Sequence, residues 1–392
     1  MKHIFHFFII LLLLSCQVDA PGESLFQKIN ADHSGVTFNN RLLETNKSNI
    51  LEYLYFYNGS GVAVEDLNKD GLPDIYFGSN QGKDELYYNL GDFKFKNVSD
   101  FLPSSKLEGW TTGVNMVDIN SDGWMDIYVS RLSLNGNAAN LLFINNGGKS
   151  FTEEAAKWGL DVNGYCTQSS FFDYDNDGDL DCYILRHSEK DPDQFKPSQI
   201  RNNKDSLAGD LLLENVGGRF EDKTTEAGIY SSAVGFGLGV STADLNDDGW
   251  MDIYVCNDFH EQDYLYINQG NKTFAESIKK TTSHTSNFSM GCVIEDVNND
   301  GKSDVFTLDM KPFDDGIYKK SGGWENMQIY NYKRSFGYHH QSPRNALQIN
   351  LGNEAGLPNF SERACMNEVE ASDWSWTPLI VDFDNDLSLI HI

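Results

Sequence analysis

The sequence predicts an all-β fold, a β-propeller of four-stranded blades with calcium loops. Three observations predict it. The motif Asp-x-Asp/Asn-x-Asp-Gly-x-x-Asp occurs five times in full, starting at Asp66, Asp118, Asp173, Asp244 and Asp296, and opens once more at Asp382. Each full copy runs into a strand-like stretch and then into a second motif, alternating apolar residues ending in Asn-x-Gly. The starts lie 52, 55, 71, 52 and 86 residues apart, which fits one four-stranded unit per repeat with two insertions.

The first motif supplies side-chain oxygens at positions 1, 3, 5 and 9 and a backbone carbonyl at position 7, the hard ligands that calcium takes in a flexible cage. In the first two copies these are Asp66, Asn68, Asp70, Leu72, Asp74 and Asp118, Asn120, Asp122, Trp124, Asp126. In the third they are Asp173, Asp175, Asp177, Asp179 and Asp181. The last two full copies offer Asp244, Asn246, Asp248, Trp250, Asp252 and Asp296, Asn298, Asp300, Lys302, Asp304. The opening copy adds Asp382, Asp384 and Asp386, and about five calcium ions are expected in the chain. Glycine at position 6, as in Gly71, lets the loop fold back on one ion. An EF-hand is excluded, because position 12 holds Phe77, Val129, Ile184, Val255 or Thr307 rather than a bidentate glutamate.

Strands flank each loop. Gly61-Val62-Ala63-Val64-Glu65 precedes the first, and Asp-Ile-Tyr follows at Asp74, Asp126 and Asp252. The third strand ends in Asn89-Leu90-Gly91, Asn145-Asn146-Gly147, Asn215-Val216-Gly217, Asn268-Gln269-Gly270 or Asn350-Leu351-Gly352, a hairpin signal. A fourth strand opens on Phe95, Phe151, Phe220, Phe274 or Phe360. One such sheet cannot bury both faces, so the units pack radially as blades; a β-solenoid or a string of small sandwiches is the alternative. Phe26-Gln27-Lys28-Ile29 is similar to the fourth-strand openings, so the chain is expected to enter on the last strand of a closing blade.

The first residues read as an export signal. Lys2 precedes an apolar run from Ile4 to Leu14, too short for a comfortable membrane span, and Leu13-Leu14-Ser15-Cys16 resembles a bacterial lipobox. That resemblance implies a lipoprotein signal over 1–15, acylation of Cys16, an anchor linker over 16–24, and an extracytoplasmic body at the outer membrane or cell surface. An ordinary secretory signal or an uncleaved anchor is the alternative. Net charge is −28, from 58 acidic against 30 basic residues, and no basic stripe offers itself to nucleic acid. Sixteen of the aspartates fill positions 1, 3, 5 and 9 of the full loops, where bound calcium would relieve their repulsion. Besides Cys16 there are five cysteines without CxxC spacing, which read as free thiols.

Two insertions stretch the period. The first, about Arg186 to Ala208, is polar. The second, Met310 to Arg344, is aromatic-rich, and Trp324, Tyr338, His339 and Arg344 are its candidate ligand-binding residues, since aromatic faces beside polar groups suit a sugar or peptide. Packing of these aromatics onto their own blade is the competing expectation. His339 and His340 are adjacent and would point to opposite faces of a strand, so they cannot share one ion.

These loops and hairpins resemble FG-GAP/VCBS repeats of the integrin-α-like propeller class. The segment 25–386 looks more narrowly like bacterial lipoproteins related to cartilage acidic protein, which usually carry an ASPIC/UnbV domain after the propeller. Supporting stretches are Tyr53-Leu54-Tyr55-Phe56-Tyr57-Asn58-Gly59, Gly337-Tyr338-His339-His340-Gln341 and Asp373-Trp374-Ser375-Trp376. The resemblance implies about seven blades in the intact protein, with structural metals bracing the face opposite the ligand site. Residues 387–392 resemble a translated sequencing adaptor and are set aside, so a longer native protein is expected and no closed ring is expected from this segment.

No GxSxG, HExxH or phosphate-cradling glycine loop is present. The function expected is a calcium-stabilised, lipid-anchored, non-catalytic binding or adhesion module for a glycan or protein ligand. The alternative is a calcium-dependent polysaccharide lyase or hydrolase, acting in the 310–344 insertion or the central channel.

Overall fold

The computed structural model describes residues 26–107, 109–133, 138–188, 203–321, 327–383 and 390–391. The signal and anchor, with Cys16, lie outside the described residues, as do Trp324, Asp384 and Asp386.

Five antiparallel sheets follow one another, each with its four strands in sequence order. Blade 1 is Val62–Glu65, Asp74–Phe77, Glu85–Asn89 and Phe95–Asn97. Blade 2 is Trp110–Val117, Asp126–Leu132, Leu141–Asn145 and Phe151–Glu153, and blade 3 is Cys166–Phe172, Asp181–Arg186, Leu211–Asn215 and Phe220–Asp222. Blade 4 is Gly237–Ala243, Asp252–Asn257, Tyr264–Asn268 and Phe274–Glu276, and blade 5 is Gly291–Glu295, Asp304–Leu308, Ala346–Glu354 and Leu357–Glu362. The register is the same throughout. The position-9 aspartate opens the second strand and pairs with the residue just before the loop: Glu65 with Asp74, Val117 with Asp126, Phe172 with Asp181, Ala243 with Asp252 and Glu295 with Asp304.

Period-two alternation explains why these sheets stack face to face. In the second strand of blade 2, Ile127 and Val129 join a core with Leu67, Tyr76 and Leu86 of blade 1. Tyr128, between them, points the other way into a core with Cys182, Ile184 and Leu213 of blade 3. Ile253 and Val255 of blade 4 likewise meet blade 3, and Tyr254 and Cys256 meet blade 5. Full burial of each such side chain contributes about 1.5–3 kcal/mol, so the cores lie between blades rather than within them. The first strands lie against one another in turn, which makes them the innermost. Glycine is required there: a Cβ on Gly113 would stand 2.7 Å from Thr167 O, and one on Gly239 would stand 2.7 Å from Gly291 Cα.

One expectation needs correction. The segment 26–29 lies outside any strand. It nonetheless leads into the place of a blade-to-blade connection. The short helix Ala31–Ser34 ends on Gly35, which is pressed against the carbonyl of Phe95, as Gly159 is against Phe220 and Gly228 against Phe274. The ring of Phe26 meets Phe383, at the opening sixth repeat, edge to face at 5.3 Å. Within the tail set aside as non-native, Ile390–His391 pairs with Ile380–Val381.

The second insertion contains helices Asp315–Ser321 and Met327–Ser335, which the sequence reading did not anticipate. Among the described residues no helix is long and apolar enough to cross a membrane. Cys166, Cys182 and Cys256 are buried free thiols, Cys292 is partly buried and Cys365 is exposed.

Candidate metal loops and central cleft

Each loop is wound around its own carboxylates. Asp66 accepts the backbone N–H of Asp70 at Oδ1 and that of Gly71 at Oδ2, at 3.1 and 2.8 Å. Asn68 Oδ1 also accepts from Asp70 N–H, and Asp70 Oδ1 accepts from Leu72 N–H, both at 2.9 Å. The same two bonds, from the N–H groups of positions 5 and 6 to the position-1 carboxylate, recur at Asp118, Asp173, Asp244 and Asp296. The turn needs a left-handed residue at position 4, held by Lys69, Ser121, Asn176, Asp247 and Asn299 at φ between 55° and 60°. The position-9 aspartates are buried: Asp74 accepts Leu67 N–H at 3.0 Å and Asn89 N–H at 2.8 Å, joining the loop to the third strand.

The donor set fits a hard cation. Asp173, Asp175 and Asp177 each place a carboxylate oxygen within 4.8 Å of the others. Asn246 Oδ1, at position 3 of blade 4, is buried and accepts no hydrogen bond among the described residues. Burial pushes the position-9 carboxyls up, to about 6 at Asp74 and about 7 at Asp126, Asp181 and Asp252, and carboxylates of the same loop add to the effect. A divalent ion would relieve both causes.

Every metal loop joins the first and second strands, so all five lie at one end of the blades. At the opposite ends of the first strands is a central cleft of about 290 Å³. Its walls include Thr112 and Gly113 of blade 2, Thr167 and Gln168 of blade 3, Leu238 of blade 4 and Met290. Aromatic rings come from two distant stretches, Tyr53 and Tyr55 before blade 1 and Trp376 after blade 5, joined by Trp110. Tyr55 and Trp376 are perpendicular at 6.5 Å between centroids. Tyr55 is locked in place by its hydroxyl, which donates to Asp258 Oδ2 at 3.0 Å. Tyr53 Oη lies 3.2 Å from Nε2 of buried His187, whose Nδ1 lies 2.8 Å from Ser188 O. Burial pushes His187 down to about 4, so the ring is neutral; Nδ1–H donates to Ser188, leaving Nε2 to accept from Tyr53.

Residues 66–129 and 244–307 match the family model for the FG-GAP-like repeat. The chain carries FG-GAP repeats. It is similar to cartilage acidic protein 1 of Homo sapiens, 29% identical over 138 residues, which are 33% of this chain and 20% of that protein. It is also similar to the Xenopus tropicalis cartilage acidic protein 1, 23% identical over 50% of this chain and 28% of the other. Integrin alpha-3 of Cricetulus griseus is 27% identical over 44% of this chain and 16% of its own. The chain thus spans about a fifth of the length of the human relative. Among solved structures, the V. cholerae biofilm matrix protein Bap1 aligns at TM-score 0.35 and 13% identity, over 65% of this chain and 35% of that one.

Within the five blades, a second set of polar residues escaped the sequence reading. Asp84, Asn140, Asp210, Asp263 and Asn345 each accept at Oδ1 a backbone N–H from the end of the second strand or just beyond it, at 2.7–3.0 Å. In three blades the other carboxylate oxygen takes the buried tyrosine hydroxyl of the second strand: Tyr76 to Asp84, Tyr183 to Asp210 and Tyr254 to Asp263, each at 2.9 Å. The signal was available, since Asp or Asn stands two residues before the leucine that opens the second motif in all five blades.

Two of the candidate ligand residues of the insertion, Tyr338 and His339, need correction. Tyr338 is wholly buried and donates to Glu261 Oε2 at 3.2 Å, so its ring offers no open stacking face. His339 is buried too, its N–H donating to Gln262 Oε1 at 2.8 Å, and burial pushes its imidazole down to about 4. Arg344 is partly exposed and bound to Glu362 Oε2 at 3.0 Å, beside His284 and Cys365. These three side chains bind the insertion to its own surroundings. Trp324 lies outside the described residues.

Proposed function

We propose that this chain is a calcium-stabilised, lipid-anchored extracytoplasmic binding module that retains a glycan or protein ligand without transforming it, with the central cleft as its seat. The observation that carries this reading is the convergence of Tyr53 and Tyr55 with Trp376 in one cleft at the end of the blades away from the metal loops. Its walls are aromatic rings, hydroxyls and amides, groups that stack on a ligand and fix its orientation by hydrogen bonds. The similarity to integrin alpha-3 and the integrin-type arrangement of the loops support the division of labour, with metal at one end and ligand at the other.

Calcium, when bound, would neutralise loop carboxylates and hold the first two strands of each blade together. In blade 1 the residues to hold it are Asp66, Asn68, Asp70, Asp74 and the carbonyl of Leu72, with their counterparts in the other four loops. The lipobox at Leu13 to Cys16 supports anchoring outside the cytoplasm.

The test is a panel of immobilised glycans and extracellular proteins probed with wild type and Trp376→Ala in calcium. The expected result is retention by wild type and its loss in the variant, with the melting temperature unchanged. A variant that binds as well as wild type overturns the cleft as the seat, and release of unsaturated or shortened sugar products favours the lyase or hydrolase reading instead.

A further inference from the structure

Blade 3 differs from the other repeats at its metal loop. All five ligand positions are aspartate, where each of the other full loops has three. Without metal, such a loop repels itself more strongly than its neighbours do. A cation reaches it from the next blade. Lys272, in the hairpin joining the third and fourth strands of blade 4, places Nζ 2.5 Å from Asp175 Oδ2 and 2.8 Å from Glu214 Oε1.

The surroundings fix the two carboxylates of this ion pair, while the Lys272 side chain is half-exposed. The Asp175 side chain is 1% exposed. Its other oxygen accepts the N–H of Asp177 at 3.2 Å, so one carboxylate oxygen serves the loop and the other the lysine. Glu214 is fixed in turn by the hydroxyl of Tyr174 at 2.9 Å. Lys94, in the corresponding hairpin of blade 1, pairs with Asp92 of its own hairpin at 3.4 Å.

We infer that Lys272 is a resident counter-ion of the blade-3 loop and sets how far that loop depends on calcium. Its charge stands in for part of the metal's, so the loop keeps its shape when calcium is scarce. The same charge would oppose a divalent ion held by this loop. Lys272 is therefore a positioning residue that lowers the calcium dependence of one loop and ties blade 4 to it.

This inference rests on the calcium reading above, and melting curves in EDTA and in excess calcium separate the two. For Lys272→Met the expected result is a melting temperature several degrees below wild type in EDTA, together with a larger calcium-induced rise. Lys272→Arg should restore the wild-type response, and Lys94→Met should leave it unchanged. A calcium-induced rise that is the same in Lys272→Met and wild type overturns the role of Lys272 while the calcium reading stands. Wild type that does not respond to calcium overturns both.

Discussion

Asn145, at the end of the third strand of blade 2, donates from Nδ2 to the carbonyl of Leu67, inside the metal loop of blade 1, at 2.9 Å. The bond recurs around the blades, from Asn268 to Tyr174 at 2.7 Å and from Asn350 to Leu245 at 2.9 Å. Each of these asparagines also donates its backbone N–H to the position-9 aspartate of its own loop: Asn145 to Asp126, Asn268 to Asp252 and Asn350 to Asp304. The Asn-x-Gly motif is thus a hairpin signal and a tie between successive metal loops.

Asn145→Ala should remove the bonds to Leu67 O and Met125 O and leave buried carbonyls unpaired. An unsatisfied buried group costs about 1–3 kcal/mol, so the midpoint of denaturant unfolding should fall measurably. An unchanged midpoint would remove the tie from the account of stability.

Chelation should lower the melting temperature by many degrees. A ligand that binds only the folded state adds roughly 4 kcal/mol per site when it stands about a thousandfold above its dissociation constant. Calorimetry with and without EDTA checks this, and identical scans would count against calcium as a structural ion. Asp70→Ala or Asp122→Ala should each remove part of the response.

Tyr338→Ala should act on stability rather than on ligand retention. Removing a large buried aromatic costs about 3–5 kcal/mol through lost packing and the cavity left behind. A variant with wild-type stability but no ligand binding would return the insertion to the binding site.

The pH dependence follows from carboxyls buried away from the loops. Burial raises Asp210 to about 6, and Asp258 and Asp263 to about 7. A raised carboxyl is bound to its proton in the fold at pH values where the unfolded chain has released it. Its contribution is therefore complete below the unfolded value near 4 and is lost as pH rises through 6 to 7. In calcium-free protein, Asp258→Asn should flatten the fall in melting temperature between pH 4 and 7, because the amide still accepts from Tyr55 and cannot ionise. An unaltered slope would show that Asp258 does not titrate in this window.

The parts of the molecule legible in sequence are those whose geometry is local. A nine-position loop fixes its own turn, its position-9 aspartate fixes the strand register, and Asn-x-Gly fixes the next hairpin, so the blades could be read one by one. The cleft could not be read in this way. Tyr53 and Trp376 are brought together only by the stacking of all five blades, and in the sequence they stood out only as stretches supporting a resemblance. The insertion misled for the opposite reason. Its aromatic density resembles a binding platform, but Tyr338 and His339 meet Glu261 and Gln262 in the loop between the second and third strands of blade 4, contacts that no local pattern encodes.

The bond from Tyr55 to Asp258 crosses 203 residues of chain. It also settles how the molecule would carry a mechanical load. Tension applied at the N-terminal end would enter through the segment before blade 1, and the ordinary way for such a stack to fail is for the terminal blade to peel off strand by strand. Here the segment is fastened on the far side of blade 1, to Asp258 beyond blade 4's second strand and to His187 beyond blade 3's, so the pull is shared with interior blades and must shear these buried contacts together.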